Sequence, residues 1–227
     1  MGGNRGVGNY TSGNTLTFNG AVTLNGNNLV FDGINGGGTG TTIFNGVISG
    51  AGNVEASTNF NDGTGILGGA NTFTGALTVN NGTVIVTGTN ANTGTNTVAG
   101  AGTLHIGGGG AGGSLGSRGI TLYGTIIFNR TGALTFGKNY DSNSGAVVRV
   151  LLGDVTLTGN GSVAGSGTFT FDVATGQSLT VTGGANIGGF GASAPTLQLT
   201  GGGTGLIDRS IASGNGAGDL VKNGAGI

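Results

Sequence analysis

The sequence predicts an all-β chain wound as a single-stranded, right-handed parallel β-helix, a β-solenoid of roughly ten coils at the usual 20–25 residues per repeat. Three observations carry that expectation. Glycine supplies 57 of the 227 residues but there is only one proline, so the strict Gly spacing and abundant Pro of collagen are missing. Hydrophobic residues make up 35% of the chain and the net charge is -1, whereas disordered chains combine low hydrophobicity with high net charge. The apolar residues fall in short clusters that alternate with Thr or another small polar residue, the period of two that sends successive side chains to opposite faces of a strand.

Taken in order, the clusters lie at 15–18, 21–24, 28–31, 42–44, 76–79, 83–86, 103–106, 121–123, 125–128, 133–136, 146–152, 155–157, 168–173, 178–182 and 196–199. No stretch has a helical period, and glycine at this density makes a long helix costly. Asn-Gly steps begin at residues 19, 25, 35, 45, 81, 160, 215 and 223. Both residues tolerate positive φ, so these steps suit sharp corners. In an antiparallel sandwich or barrel they would mark type I′ hairpins. Several four-residue strands separated by corners fit better a chain that winds and pairs each coil with the next. The residues expected to stack inward are Leu16, Phe18, Val22, Leu24, Leu29, Phe31, Ile43, Leu77, Val79, Val84, Val86, Leu104 and Ile106, then Ile126, Phe128, Phe136, Leu157, Phe169, Phe171, Leu179, Val181, Leu197 and Leu199.

The chain also repeats itself. Gly50-Ala51-Gly52-Asn53-Val54-Glu55 returns as Gly216-Ala217-Gly218-Asp219-Leu220-Val221-Lys222, and Asp62-Gly63-Thr64-Gly65-Ile66 as Asn223-Gly224-Ala225-Gly226-Ile227. The unit resembles the autotransporter-associated β-strand repeat, also called the passenger-associated transport repeat. Asn71, Thr72, Phe73, Thr74 and Gly75, then Val79, then Gly82, Thr83 and Val84 sit in step with the second half of that family's pattern. Leu220, Lys222, Gly224 and Gly226 sit in step with its first half. Residues 53–64 depart from it by an insertion, Glu55 stands where the family's Lys region begins, and Leu77 replaces the usual Thr. The resemblance implies a β-helical passenger exported through a bacterial outer membrane and displayed or released, hence an extracellular or cell-surface location. On this reading residues 1–227 are one continuous β-helix and a piece of a longer passenger. A repeat-like unit covers 48–86, and a second begins at 214 and is cut at 227.

Chemistry is sparsely provided for. The chain has 7 Lys and Arg, 8 Asp and Glu, one His and no Cys, which excludes a disulfide scaffold, a thiolate metal site and the basic footprint of a nucleic-acid binder. The expectation is therefore no enzyme, cofactor, metal or nucleic-acid partner, and no membrane span within this chain. One window is rich in charge: Arg130, Lys138, Asp141, Arg149 and Asp154 are candidates for a sugar-binding or acid/base patch, against the reading of a solvated surface with weak ion pairs. His105 is expected to face outward between inward Leu104 and Ile106, without an adjacent partner for catalysis. By elimination and resemblance, the leading function is a structural or adhesive β-helix working through Thr and Asn, with glycans or like chains as partners and end coils that template self-association. Polysaccharide binding or cleavage is the alternative. Ice binding ranks lower, because the Thr-x-Thr pairs are unevenly spaced along the chain.

Overall fold

The structure, a computed structural model, describes residues 5–9, 11, 13–33, 40–164, 166–187, 195–208, 211–213 and 219–225. Among them there is no helix, and parallel strands stack as a β-solenoid of about 8 turns, close to the roughly ten expected. Long coils account for the smaller number. Phe171 pairs with Leu199, 28 positions on (199 − 171), beyond the 20–25 residues assumed. The chain forms two compact units, Met1–Arg118 and Gly119–Ile227.

In the first unit three ladders run from coil to coil. One joins Arg5–Val7, Leu29–Phe31, Val54–Ala56 and then residues 77–79 and 97–98. A second joins Thr15–Phe18, Thr41–Phe44, Thr64–Leu67 and then residues 83–86 and 103–106. The third is short, joining Val22–Thr23, Ile48–Gly50 and Thr72–Phe73, and is followed by the bridges Asn71↔Asn90 and Thr89↔Ser114. Every pairing is parallel, so each coil caps the strand edges of the coil before it.

The second unit follows the same scheme. Thr125–Phe136 lies on Val147–Leu157, whose first half meets Thr168–Val173 and whose second half meets Ser178–Val181. These continue to Thr196–Gly201 and Thr204–Ile207, and Thr196–Gly201 to Asp219–Lys222. The remaining ladder joins Ile120–Leu122, Tyr140–Ser142, Gly161–Val163, Ala185–Ile187 and Ile211–Ser213.

Alternation places the core as expected for most positions. Leu24, Leu29, Phe31, Leu77, Val79, Val84, Val86, Leu104, Ile106, Ile126, Phe128, Phe136, Leu157, Phe169, Phe171, Leu179, Val181 and Leu197 are all buried. Each buried Leu or Phe contributes about 1.5–3 kcal/mol. Five positions depart. Ile43 points outward because Phe44, its neighbour in the strand, takes the inward parity; the Phe44 ring stacks on Phe18 at 4.7 Å and meets Phe31 edge-on at 5.7 Å. Thr42 and Gly65 then fall inside, and the Phe31 ring fills the space a Gly65 side chain would need. Leu16 is 37% exposed, and Phe18 and Val22 are half-buried, because their rungs pair with a described coil on one side only. Leu199 is half-buried because its next rung is the exposed strand Asp219–Lys222.

Glycine at the corners answers mainly to close approach between coils. A Cβ on Gly46 would run into the Gly20 carbonyl, one on Gly69 into that of Gly46, and one on Gly88 into that of Gly69. None of these four glycines has a positive φ. Among the Asn-Gly steps within the described residues, positive φ occurs at Asn25, Gly26, Gly82 and Gly224; the steps beginning at 35 and 215 lie outside those residues.

Candidate functional site

Asparagine side chains link successive coils. The Asn53 backbone and side-chain N–H groups both donate to Asn28 Oδ1 (3.1 and 3.0 Å), and Ala76 N–H donates in turn to Asn53 Oδ1 (2.8 Å). Asn160 N–H donates to Asn139 Oδ1, and Gly184 N–H to Asn160 Oδ1, both at 3.0 Å. Asn45 Nδ2 donates to Asn19 Oδ1 at 2.9 Å. An amide suits this place because it accepts from one coil and donates to another without carrying charge.

Inside the first unit the same device is enclosed. Asn71, Asn90, Asn92 and Asn96 are buried. Ile48 N–H donates to Asn71 Oδ1 (2.9 Å), and Asn71 Nδ2 donates to Asn90 Oδ1 (2.8 Å). Asn92 Nδ2 donates to Asn96 Oδ1 at 2.9 Å. The Asn90 Nδ2 group meets no acceptor, and the adjoining coil offers Leu115 beside Ser114 at that level.

The outward face of the second ladder in this unit is a regular array. Thr15, Thr41, Thr64, Thr83 and Thr103 pair in sequence, one per coil. Two residues along each strand, Thr17, Ile43, Ile66, Ile85 and His105 form a parallel column. Neighbours in a column stand about 4.8 Å apart, and the columns are about 6.6 Å apart along the strand. The array is neutral apart from His105, and burial lowers the His105 imidazole from its ordinary 6.5. Sequence spacing hid the Thr column because the coils differ in length. A local signal is present in Gly40-Thr41, Gly63-Thr64, Gly82-Thr83 and Gly102-Thr103, where a Gly-Thr step leads into each paired segment of the ladder.

The repeat-motif residues divide between support and surface. Asn71, Phe73, Val79 and Val84 are buried, Thr72 and Thr74 are exposed, and Thr83 belongs to the Thr column. A Cβ on Gly75 would meet the Gly52 carbonyl, and Gly82 turns the chain at φ +68°. In the second copy Leu220 is 57% exposed, Lys222 Nζ donates to the Gly224 carbonyl (2.9 Å), and Gly226 lies outside the described residues, as do residues 214–218. Val54, the counterpart of Leu220 in the first copy, is fully buried between Leu29 and Leu77.

The charged window is not gathered into one patch. Asp141 lies on the ladder of Tyr140–Ser142 and accepts from Ser162 Oγ at 2.7 Å. Asp154 lies on another ladder and accepts from Ser178 Oγ at 2.7 Å. Arg149, on a third, pairs with Asp172 at 3.2 Å. Arg130 and Lys138 are half-buried at the corners after residues 128 and 136. Among the described residues no three His, Asp or Glu side chains are grouped as metal ligands would be. A mostly apolar cleft of about 40 Å³ opens in the second unit beside Phe171, Leu179, Val181, Leu206 and Lys222, far smaller than the roughly 300–1,000 Å³ of a small-molecule site. Tyr140 is buried against Phe169 (6.2 Å between stacked rings), and burial pushes its hydroxyl up to about 12. No protein-family model, curated protein or solved structure matches the chain.

Proposed function

We propose that this chain is a non-catalytic structural and adhesive β-helical segment of a bacterial autotransporter-like surface or secreted protein. The observation that carries the reading is the Thr15–Thr41–Thr64–Thr83–Thr103 column, which presents one hydroxyl per coil on a neutral face. Such a face offers many modest hydrogen bonds to an extended partner such as a glycan, without a single deep pocket. The engagement of Asp141 and Asp154 by serine hydroxyls on separate ladders supports it further, because a glycosidase needs its two carboxyl groups facing one bond. Retention on immobilised polysaccharides tests the reading: Thr41→Val, Thr64→Val and Thr83→Val together should abolish it, and unchanged retention would contradict it.

A second reading, ice binding, rests on the regularity of the same array: two columns at about 4.8 Å by 6.6 Å form a repeating grid that can order water. It requires thermal hysteresis in the wild-type chain and its loss in Thr64→Lys; a wild-type chain without hysteresis rules it out.

A further inference from the structure

The Asn-Gly steps are chemically alike in sequence, but the fold treats them differently. At Asn25-Gly26 the glycine N–H is committed to the Ala51 carbonyl of the next coil at 2.6 Å, and at Asn160-Gly161 to the Gly184 carbonyl at 2.7 Å. At Asn81-Gly82 the glycine N–H donates instead to the Oδ1 of Asn81 itself, at 2.8 Å. That contact folds the Asn81 carboxamide back towards the following peptide, so that the carbon bonded to Oδ1 lies within about one bond length of an atom already in contact with the Gly82 nitrogen. Two further contacts fix the carboxamide there: Asn81 Nδ2 donates to the Thr58 carbonyl (3.1 Å) and to Asn61 Oδ1 (2.9 Å). On the side of the preceding coil pairing stops at Val79 and resumes at Thr83, so Asn81 and Gly82 have no ladder partner there, although both pair with Ala101 and Gly102 of the following coil after a register shift.

We propose that Asn81-Gly82 is a self-modification site, at which the folded chain converts Asn81 to aspartate and isoaspartate through a cyclic imide. The Gly82 nitrogen gives up its proton to solvent base and attacks Asn81 Cγ. The new N–Cγ bond closes a five-membered ring, the Cγ–Nδ2 bond breaks, and ammonia leaves with a proton from solvent. Water then opens the ring at either carbonyl, giving aspartate or an isoaspartyl link. Positioning of this kind accelerates ring closure because the reacting atoms are already adjacent.

The product changes the corner. A carboxylate at residue 81 has no hydrogen to donate, yet it faces two acceptors, the Thr58 carbonyl and Asn61 Oδ1. The isoaspartyl product also lengthens the backbone beside Gly82, which is already so close to Phe60 that a Cβ would collide with its carbonyl. Phe60 is buried against Phe31, 5.7 Å between ring centres, so the segment 57–63 is the part that loosens.

The test is peptide mapping by mass spectrometry with isoaspartate detection, on the wild-type chain held in mildly alkaline buffer, folded and in urea. In the folded chain Asn81 should convert at least about tenfold faster than Asn25 and Asn160, and in urea the three rates should converge. Conversion of Asn81 no faster than the other two when folded, or the same ratio in urea, overturns the proposal. Asn81→Asp, made directly, should raise hydrogen exchange across 57–63 above the wild-type level. Unchanged exchange there overturns the loosening.

Discussion

Replacing Asn71 by alanine probes the amide ladder where it is most enclosed. The side chain is fully buried and makes two bonds, accepting from Ile48 N–H at 2.9 Å and donating to Asn90 Oδ1 at 2.8 Å. Alanine leaves both partners buried and unpaired, at about 1–3 kcal/mol each, so the expected loss is about 2–6 kcal/mol. Asn90 has no second bond to fall back on, because its Nδ2 already lacks an acceptor. The neighbouring motif residue supplies the control. Thr72 is exposed, and Thr72→Ala should stay within about 0.5 kcal/mol of wild type. Urea unfolding followed by far-UV circular dichroism reads both variants, through the shift in midpoint at constant slope. Equal midpoints for Asn71→Ala and Thr72→Ala would refute the claim that the motif asparagine bonds one coil to the next.

Other outcomes follow from the same structure. Gly69→Ala should lower the urea midpoint strongly because its Cβ meets the Gly46 carbonyl, whereas Gly20→Ala, with open space around its Cβ, should leave it unchanged. Tyr140 is protonated in the fold up to about pH 12 but ionises near 10 when unfolded, so its contribution is complete below pH 10 and is lost as pH rises through 12. The loss amounts to about 2–3 kcal/mol, and Tyr140→Phe should flatten that part of a stability-against-pH curve. His105 has the opposite sense. Its lowered value means that the unfolded chain takes up the proton first, so stability present above pH 6.5 falls on acidification, and His105→Gln should remove that slope. The Arg149–Asp172 pair lies at the surface with both side chains partly exposed, and Arg149→Ala should cost under about 1 kcal/mol in thermal melts.

Strand positions were legible wherever one parity was clearly apolar, as in Thr168–Val173 and Ser178–Val181, since burial acts on every second residue. Where two large apolar residues are adjacent, as in Ile43-Phe44, alternation cannot choose between them, and contacts with Phe18 and Phe31 from other coils decide. Phe60 was missed because it sits in a polar insertion, where only its lone ring hinted at burial. The Asn-Gly corners were recognised, but their cause was only partly legible. Positive φ is a local property, whereas most of these asparagines and glycines answer to a carbonyl or amide about one coil away. The same distance hid the candidate surface. Its Thr column advances by 26, 23, 19 and 20 residues between Thr15, Thr41, Thr64, Thr83 and Thr103, so no fixed period in the sequence exposes it.

The in-register stacking of that column is the central claim, and cysteine cross-linking tests it most directly, because the chain has no cysteine of its own. Thr64 and Thr83 are direct neighbours on adjacent coils, about 4.8 Å apart, within the Cα separation a disulfide spans. Thr64 and Ile85 share the same outward face but stand on a diagonal of about 8 Å, too far for one. On mild oxidation the Thr64→Cys/Thr83→Cys chain should close its disulfide and the Thr64→Cys/Ile85→Cys chain should keep both thiols free. Closure of the second pair without the first would contradict the register and the surface built on it.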